Sequence, residues 1–274
     1  MLDLDAYFSR IALPRPAGAT LDTLNAIVDA HARAIPFENL DVLLQKPVNL
    51  GVEALEEKLV RVGRGGYCFE QNALLLHVLE QLGFQVRPLS ARVRIGRRRD
   101  ETPARTHLFL RVELEGSYLA DVGVGGLTLT SAIRLVEGLE QPTRHEPRRL
   151  VREDGRWFHQ AKLGADWVDV CEFTLEEMPA IDREVANWFT SAHPQSHFKN
   201  RLVVARALPD GGRASILNRE LTLRRRDGTA DHTVLATPDE LLAVLAQRFG
   251  LHFPPGTRFD CPALDWPAPG VAKP

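Results

Sequence analysis

Apolar residues in the first third of the chain recur three or four positions apart, which is the spacing of an amphipathic helix. Pro14 and Pro16 interrupt a first short segment, and Pro36 ends a second, longer one. The pattern therefore predicts three helices in this part, over residues 5–13, 21–35 and 52–62. Between the last two, residues 35–41 are predicted to form a turn.

A fourth helix has the clearest signal of this region. Four apolar residues occupy positions i, i+3, i+4 and i+7 of one helical face: Leu75, Val78, Leu79 and Leu82. Gly83 follows them as a stop signal. Because the run opens just after the segment 64–72, RGGYCFEQN, Cys68 is predicted to lie in the first turn of this helix.

After Gly83 the pattern changes from helical spacing to alternation of apolar and polar residues, which is typical of strands. It predicts seven short strands, over residues 85–89, 91–95, 106–114, 118–122, 149–152, 157–160 and 167–173. Several short antiparallel strands joined by turns indicate a small barrel or a strongly bent sheet.

The last third mixes both patterns. A helix is predicted over residues 182–189, and strands over 201–208, 214–217, 220–225 and 232–235. The final helix has Thr237 as its N-cap, Pro238 in its first position, Glu240 in a capping box and Gly250 just past its end. From Pro254 onward the proline-rich tail is expected to be irregular and to wrap the surface.

Composition narrows the class of partner. The chain has 274 residues, 44% of them hydrophobic, so it can bury a large core. Its formal charge is -2 with both signs spread along the chain, which excludes a nucleic-acid or anionic-membrane partner and favours a small molecule. No apolar run approaches the roughly 18 residues of a membrane span. We expect a soluble, cytosolic protein.

Three widely separated cysteines, Cys68, Cys171 and Cys261, fit a reducing compartment and match no zinc spacing. Cys68 differs from the other two because unpaired N–H groups at a helix N-terminus favour a thiolate and an oxyanion. Gly65 and Gly66 are expected to form a tight turn and to leave room for a substrate. The alternative is a small buried thiol at the end of a core helix.

The hairpin over residues 106–122 decides where His107 and Asp121 point. A three-residue loop, 114–116, with Gly116 in the left-handed conformation pairs Glu113 with Ser117 and places His107 and Asp121 on one face. A two-residue loop places them on opposite faces. The first arrangement orients a histidine by a carboxylate, as a thiol nucleophile requires, although such a pair is also found in purely structural roles.

Other motifs are weaker. The glycine-rich residues 122–128 are either a flexible turn or a close backbone approach to a ligand. Arg97, Arg98 and Arg99 form either a solvated hairpin tip or a phosphate contact. His193 and His197 are four residues apart, but the proline between them argues against a regular helix, and we expect no metal site.

Five short segments together resemble one family: residues 64–72 (RGGYCFEQN), 36–41 (PFENLD), 106–108 (THL), 121–123 (DVG) and 187–191 (NWFTS). In order and spacing, from about residue 5 to about residue 250, the chain resembles the arylamine N-acetyltransferases. The resemblance implies an α+β multi-domain fold: a helical domain over 1–84, an antiparallel β-barrel over 85–180 and an α/β lid over 181–274, related to papain-like and transglutaminase-like thiol enzymes. It also implies a catalytic triad of Cys68, His107 and Asp121.

The resemblance implies ping-pong acetyl transfer from acetyl-CoA, through an acetyl-Cys68 thioester, to an arylamine or arylhydrazine. It implies no permanently bound cofactor. Phe37 and Phe198 are expected to line a slot for the aryl ring, and Gly125, Gly126 and Thr128 to border the CoA arm. Val124 stands where many members resembling this chain carry an aromatic residue, which reshapes the pocket without touching the triad.

Two other functions remain open at this point. One is a thiol enzyme with the same triad and another acceptor, either an amide synthase or a hydrolase. The other is a non-catalytic binding protein that retains the fold. The sequence does not define the preferred amine, the acyl chain length or the oligomeric state.

Overall fold

The structure is a computed structural model that describes residues 1–267, and it shows an α+β protein. Two helices, which begin at Val52 and Pro238, continue as π-helical turns over Glu56–Arg61 and Leu245–Phe249. The helices in the described range are α1 (Leu4–Arg10), α2 (Leu21–Ala34), α3 (Leu40–Leu43), α4 (Val52–Leu55), α5 (Cys68–Gln81), α6 (Ala180–Ala192), α7 (His197–Asn200) and α8 (Pro238–Val244).

Seven antiparallel strands form the larger sheet, in the order β5-β4-β3-β2-β8-β7-β6. They are β2 (Gln85–Val93), β3 (His107–Glu113), β4 (Ser117–Ala120), β5 (Ile133–Arg134), β6 (Arg148–Glu153), β7 (Arg156–Leu163) and β8 (Asp166–Glu177). Beyond β5 the chain reaches β6, where the N–H groups of Gly138 and Gln141 donate to the carbonyls of Leu150 and Arg148, both at 2.7 Å. These bonds join the two edges, so the predicted barrel is confirmed as a nearly closed one.

A smaller antiparallel sheet has the order β1-β9-β10-β11-β12. Its strands are β1 (Phe37–Glu38), β9 (Val203–Ala207), β10 (Arg213–Leu217), β11 (Glu220–Arg224) and β12 (Ala230–Val234). The prediction of a plain turn over residues 35–41 is wrong, because Phe37 and Glu38 pair with β9. Strand pairing with a distant partner, which local turn chemistry does not encode, decides the conformation here.

Strand β2 also differs from its prediction. Two strands were expected, over 85–89 and 91–95, but the chain forms one continuous strand that pairs with β3 from Gln85 to Ala91. On the other side, against β8, the register shifts between Leu89 and Ala91. A bulge of this kind bends the strand and increases its twist, so one bent strand replaces two.

Helix α5 lies at the centre of the molecule and packs against β2 and β3. Leu75, Val78 and Leu79, three of the four predicted face residues, have no exposed surface. The helix ends as predicted, with Gly83 at φ 86° just beyond it. Residues on its other faces are buried too, which is typical of a helix enclosed by a larger core rather than lying on its surface.

The last third follows its local signals closely. The side chain of Thr237 accepts the N–H of Glu240 at 3.1 Å, and Gly250 beyond the helix has φ 68°. Residues 251–267 contain only turns, and Phe259, Cys261 and Leu264 pack into the core of the smaller sheet. The remainder of the predicted irregular tail, residues 268–274, lies outside the described residues. Among residues 1–267, no helix combines the length and apolar character needed to cross a bilayer.

Candidate active site

Cys68 is the first residue of α5, so its predicted place in the first helical turn is confirmed. Just before it, the N–H of Tyr67 donates to the carboxylate of Glu70 at 3.0 Å, which caps the helix end. The cysteine side chain is buried, with only 4% of the residue exposed. Its sulfur lies 3.6 Å from the carbonyl oxygen of Thr106, the residue that precedes His107.

Gly65 and Gly66 allow the protein backbone to pack against itself. The N–H of Gly66 donates to Pro36 O at 3.3 Å, and the Gly66 carbonyl accepts the N–H of Glu38 at 3.0 Å. A Cβ on Gly65 would lie 2.1 Å from Pro36 O, and a Cβ on Gly66 would lie 2.7 Å from a Glu70 carboxylate oxygen. The space beside both glycines is therefore filled by protein, and the expectation that they leave room for a substrate is wrong.

His107 and Asp121 lie on one face of the β3–β4 hairpin, as the three-residue loop predicts. Glu113 pairs with Ser117, and the two strands continue in that register. The Nε2 atom of His107 lies 2.7 Å from Oδ2 of Asp121, so the ring donates a hydrogen bond to the carboxylate. Gly116, however, does not have the positive φ expected of it. The turn contains no left-handed residue, and the Leu114 N–H donates to the Gly116 carbonyl at 2.9 Å.

The electrostatics of this pair favour a charged imidazolium. Burial alone would lower the pKa of His107, but the charge and hydrogen bond of Asp121, reinforced by Cys68, raise the pKa to about 10. For Asp121, burial favours the protonated acid, but His107 and two further hydrogen-bond donors hold its pKa below the ordinary value. At neutral pH the ring is thus a cation next to the Cys68 side chain.

Asn72 fixes the carboxylate, and the sequence analysis missed this role. Its amide nitrogen donates to Asp121 Oδ1 at 3.0 Å and to the Leu108 carbonyl at 2.7 Å. Its amide oxygen accepts the N–H of Val122 at 3.0 Å. A signal existed, because Asn72 lies four residues after Cys68 and therefore on the same face of α5.

Gly123 brings the segment after Asp121 into direct contact with the helix. Its N–H donates to Asp121 Oδ1 at 3.0 Å. A Cβ at this position would lie 2.7 Å from the Cα of Cys68 and 2.8 Å from the amide nitrogen of Asn72. The glycine is required because the two segments approach closely.

A buried ionic network supports the residues that precede α5. The guanidinium of Arg64 donates to Glu38 at 2.7 Å and to Asp41 at 3.1 Å. Lys58 joins Asp41 at 2.7 Å to Glu70 at 2.6 Å. Burial alone would lower the pKa of Lys58, but Glu70 and the neighbouring carboxylates raise it, so the amine stays protonated.

Three aromatic side chains pack together near the start of α5, where Tyr67 precedes Cys68. The ring centroids of Phe37 and Phe198, both predicted to line the slot, are 5.9 Å apart, and Tyr67 lies 5.3 Å from Phe198. The hydroxyl of Tyr67 donates to Asn187 at 2.5 Å. Gly125, which was predicted to border the CoA arm, has φ 80° and faces the ring of Phe37.

The remaining predicted residues differ in their surroundings. Gly126 faces open space. Thr128 is 5% exposed, and its carbonyl accepts a hydrogen bond from Arg213. Val124 is buried in a small apolar cluster with Leu127 and two residues of the barrel wall.

The side chains of the arginine loop and of the two histidines have partners within the protein. Arg97, Arg98 and Arg99 each pair with a carboxylate of the same protein, which favours the interpretation as a solvated tip. The region around Pro194 is a break between α6 and α7, as predicted. Within the range 1–267, no group of three or more potential ligands is arranged to hold a metal ion.

A family model described as N-acetyltransferase matches residues 20–257. The arylamine N-acetyltransferase of Mycolicibacterium smegmatis is 46% identical over 259 residues, which cover 91% of this chain and 92% of that relative. The chain belongs to the arylamine N-acetyltransferase family. The member from Escherichia coli is 42% identical over 249 residues, covering 90% and 88%. The solved arylamine N-acetyltransferase of Mycobacterium marinum in complex with CoA superposes with a TM-score of 0.86 at 40% identity, covering 90% and 92%.

In this arylamine N-acetyltransferase family member, we expect Gly123→Ala to lower the rate of acetyl transfer by about 100-fold. A displacement of the reacting groups by about 1 Å has an effect of that order. The added methyl must displace Cys68 or Asn72. Steady-state kinetics on the folded variant measure the effect. Gly116→Ala in the same hairpin is the control, since its Cβ meets only Arg134 at 3.5 Å. Equal activity in both variants would contradict the close-approach argument.

Proposed function

We propose that this chain transfers an acetyl group from acetyl-CoA to the nitrogen of an arylamine or arylhydrazine, with Cys68, His107 and Asp121 as the catalytic residues. The observation that carries the proposal is the buried array in which Asp121 holds a cationic His107 beside a thiol at a helix N-terminus. The CoA complex of the M. marinum relative supports acetyl-CoA as the co-substrate.

In the first half-reaction, the Cys68 thiolate attacks the thioester carbonyl of acetyl-CoA. The developing oxyanion is held by the backbone N–H of Cys68, one of the N–H groups without an intrahelical partner at a helix start. The bond between the carbonyl carbon and the CoA sulfur then breaks. CoA leaves with the proton of His107, and an acetyl-Cys68 thioester remains.

In the second half-reaction, the now neutral His107 accepts a proton from the amine as its nitrogen attacks the thioester. Departure of the Cys68 thiolate releases the acetylated amine and restores the ion pair. Aromatic amines suit this step because their low basicity leaves them neutral near pH 7. Phe37 and Phe198 form the aryl slot, and Gly125, Gly126 and Thr128 border the CoA arm.

The same proposal includes the domain division 1–84, 85–180 and 181–274 and a relationship to papain-like thiol enzymes. Supporting it, β2–β8 fall within the second section and β9–β12 within the third. The last seven residues of that third section lie outside the described residues. No permanently bound cofactor takes part in the proposed steps.

Mass spectrometry of the intact protein after exposure to acetyl-CoA alone tests the proposal. We expect the mass to increase by one acetyl group, and aniline added afterwards to remove the group as acetanilide. Peptide mapping should locate it on Cys68, because burial raises the pKa of the Cys171 and Cys261 thiols and disfavours their thiolates. Cys68→Ala is the control. Acetylation of another cysteine, or none of Cys68, would overturn the assignment.

A further inference from the structure

Three arginines converge on one buried glutamate outside the proposed triad. Oxygen atoms of Glu146 accept hydrogen bonds from Arg148 at 3.0 Å, from Arg213 at 2.7 and 2.8 Å, and from Arg224. We call these four residues the Glu146 cluster. It joins the two sheets, since Arg148 begins β6 of the barrel whereas Arg213 and Arg224 belong to β10 and β11.

The charges of the Glu146 cluster do not balance within it. Arg148 has no exposed surface and Arg213 is 4% exposed, so two cations share a buried carboxylate with a third, partly exposed one. Burial lowers the pKa of Arg148 to about 10, against the opposing effect of Glu146. Removing such charges from water is costly, so their attraction to Glu146 adds little net stability to the fold. Stabilising the fold is therefore a weak explanation for the cluster.

The spare N–H groups of two cluster arginines hold a loop. Arg148 donates to the carbonyl of Leu127 and Arg213 to that of Thr128, both at 2.9 Å. Arg224 has no hydrogen bond to this loop in the described chain; it contacts Glu146.

Loop 122–130 follows Asp121 directly, and its two ends are held differently. At its start, Asn72 binds Val122 and Gly123 packs on Cys68. Further along, Gly125 faces the ring of Phe37. The cluster holds Leu127 and Thr128, and the Thr128 N–H donates to the Gly125 carbonyl at 3.0 Å. The cluster thus reaches Gly125 through this bond, beyond the part of the loop that contacts Cys68.

We propose that Arg213 is a positioning residue. Oriented by Glu146, it fixes the carbonyl of Thr128 as Arg148 fixes that of Leu127, and with them the wall that loop 122–130 presents to the aromatic slot. The expected effect on enzyme kinetics rests on the proposed function, whereas the expected effect on the conformational order of loop 122–130 does not. Loss of the clamp should therefore weaken the fit of the aromatic acceptor and leave the reactivity of the Cys68 thiol unchanged.

Arg213→Met and Arg224→Met form a matched pair, because each removes one guanidinium from Glu146 but only Arg213 reaches the loop. Hydrogen exchange of a peptide covering residues 122–130 reports on the loop, whose Thr128 and Leu129 N–H groups bond to Gly125 and Asp121 carbonyls, both at 3.0 Å. In Arg213→Met we expect exchange to quicken at least about tenfold. With aniline as acceptor, we expect KM to rise about tenfold with kcat nearly unchanged. Arg224→Met should stay within about twofold of the parent in both measurements.

The rate of Cys68 alkylation by iodoacetamide separates this role from that of the triad, and it should be equal in the parent and both variants. Equal loop exchange in Arg213→Met and Arg224→Met would overturn the proposal, as would slower alkylation in Arg213→Met. If Arg213→Met does not fold, Arg213→Lys replaces it, because lysine keeps the positive charge but lacks the planar guanidinium group. Its result is judged by the same change in hydrogen exchange of residues 122–130. A parent that acetylates no aniline would refute the proposed function, while exchange would still decide the positioning role.

Discussion

Asp121→Asn will lower the rate of acetyl transfer by about 10⁴-fold, the scale seen when an asparagine replaces the orienting aspartate of a catalytic triad. An amide can present its N–H to the ring and favour the unproductive tautomer. Without the carboxylate, burial dominates and the pKa of His107 falls below its ordinary value, so the imidazolium is lost at neutral pH. Alkylation of Cys68 by iodoacetamide should therefore slow near pH 7, with its pH profile displaced to more alkaline values.

Glu172→Gln provides the control for this experiment. Glu172 is another buried carboxylate of the barrel, 4% exposed, and it pairs with Arg94 and Arg156 rather than with His107. Its variant should keep the parent alkylation profile, and circular dichroism confirms that both variants fold. If folded Asp121→Asn also kept that profile, Asp121 would be a hairpin residue only, and His107 would need another partner.

Acidification from pH 6.5 to pH 4.5 will destabilise the fold steeply. His31 lies between Tyr7 and Gln71, and His159 beside Arg148; burial first of all lowers the pKa of each to about 3, and it lowers the pKa of the buried His145 to about 4. In this interval the unfolded chain binds protons at all three positions and the native chain largely does not, so stability falls with falling pH. Each histidine contributes about 1.4 kcal/mol per pH unit, or about 4 kcal/mol per unit together, to the free energy of unfolding.

Urea unfolding at several pH values measures this slope. His159→Gln should reduce it by about a third whatever the variant does to stability at pH 7, because one of the three titrating groups is gone. His232→Gln is the matched control, since that side chain is 57% exposed. A slope that His159→Gln leaves unchanged would show that other groups govern the acid sensitivity.

The sequence predicts those parts of the site that depend on neighbours along the chain. The pairing of Glu113 with Ser117 follows from loop length and alternation, and this pairing brings His107 and Asp121 to one face. The start of α5 at Cys68 follows from apolar periodicity. The detailed turn does not, because Gly116 lacks the expected left-handed φ although the register is right.

Contacts between distant segments are beyond such patterns. Asn72 and Asp121 are 49 residues apart, and Glu146 and Arg213 are 67 apart. Neither contact leaves a periodic signal, because each exists only once the helix and both sheets have packed together. Family resemblance, rather than periodicity, assigned the three proposed catalytic residues, and it gave no reason to examine Glu146.

The two-residue strand β1 also determines when the site is completed during synthesis. Phe37 pairs with Ala205 of β9 on one side and with Gly66, two residues before Cys68, on the other. At about 5–20 residues per second, β9 is made roughly ten to thirty seconds after β1. During that interval the nascent chain holds the thiol and the partners proposed for it, but Phe37 still lacks the strand that fixes it. The proposed aryl slot is therefore assembled late, and a chain terminated before β9 carries the cysteine without the strand that fixes Phe37.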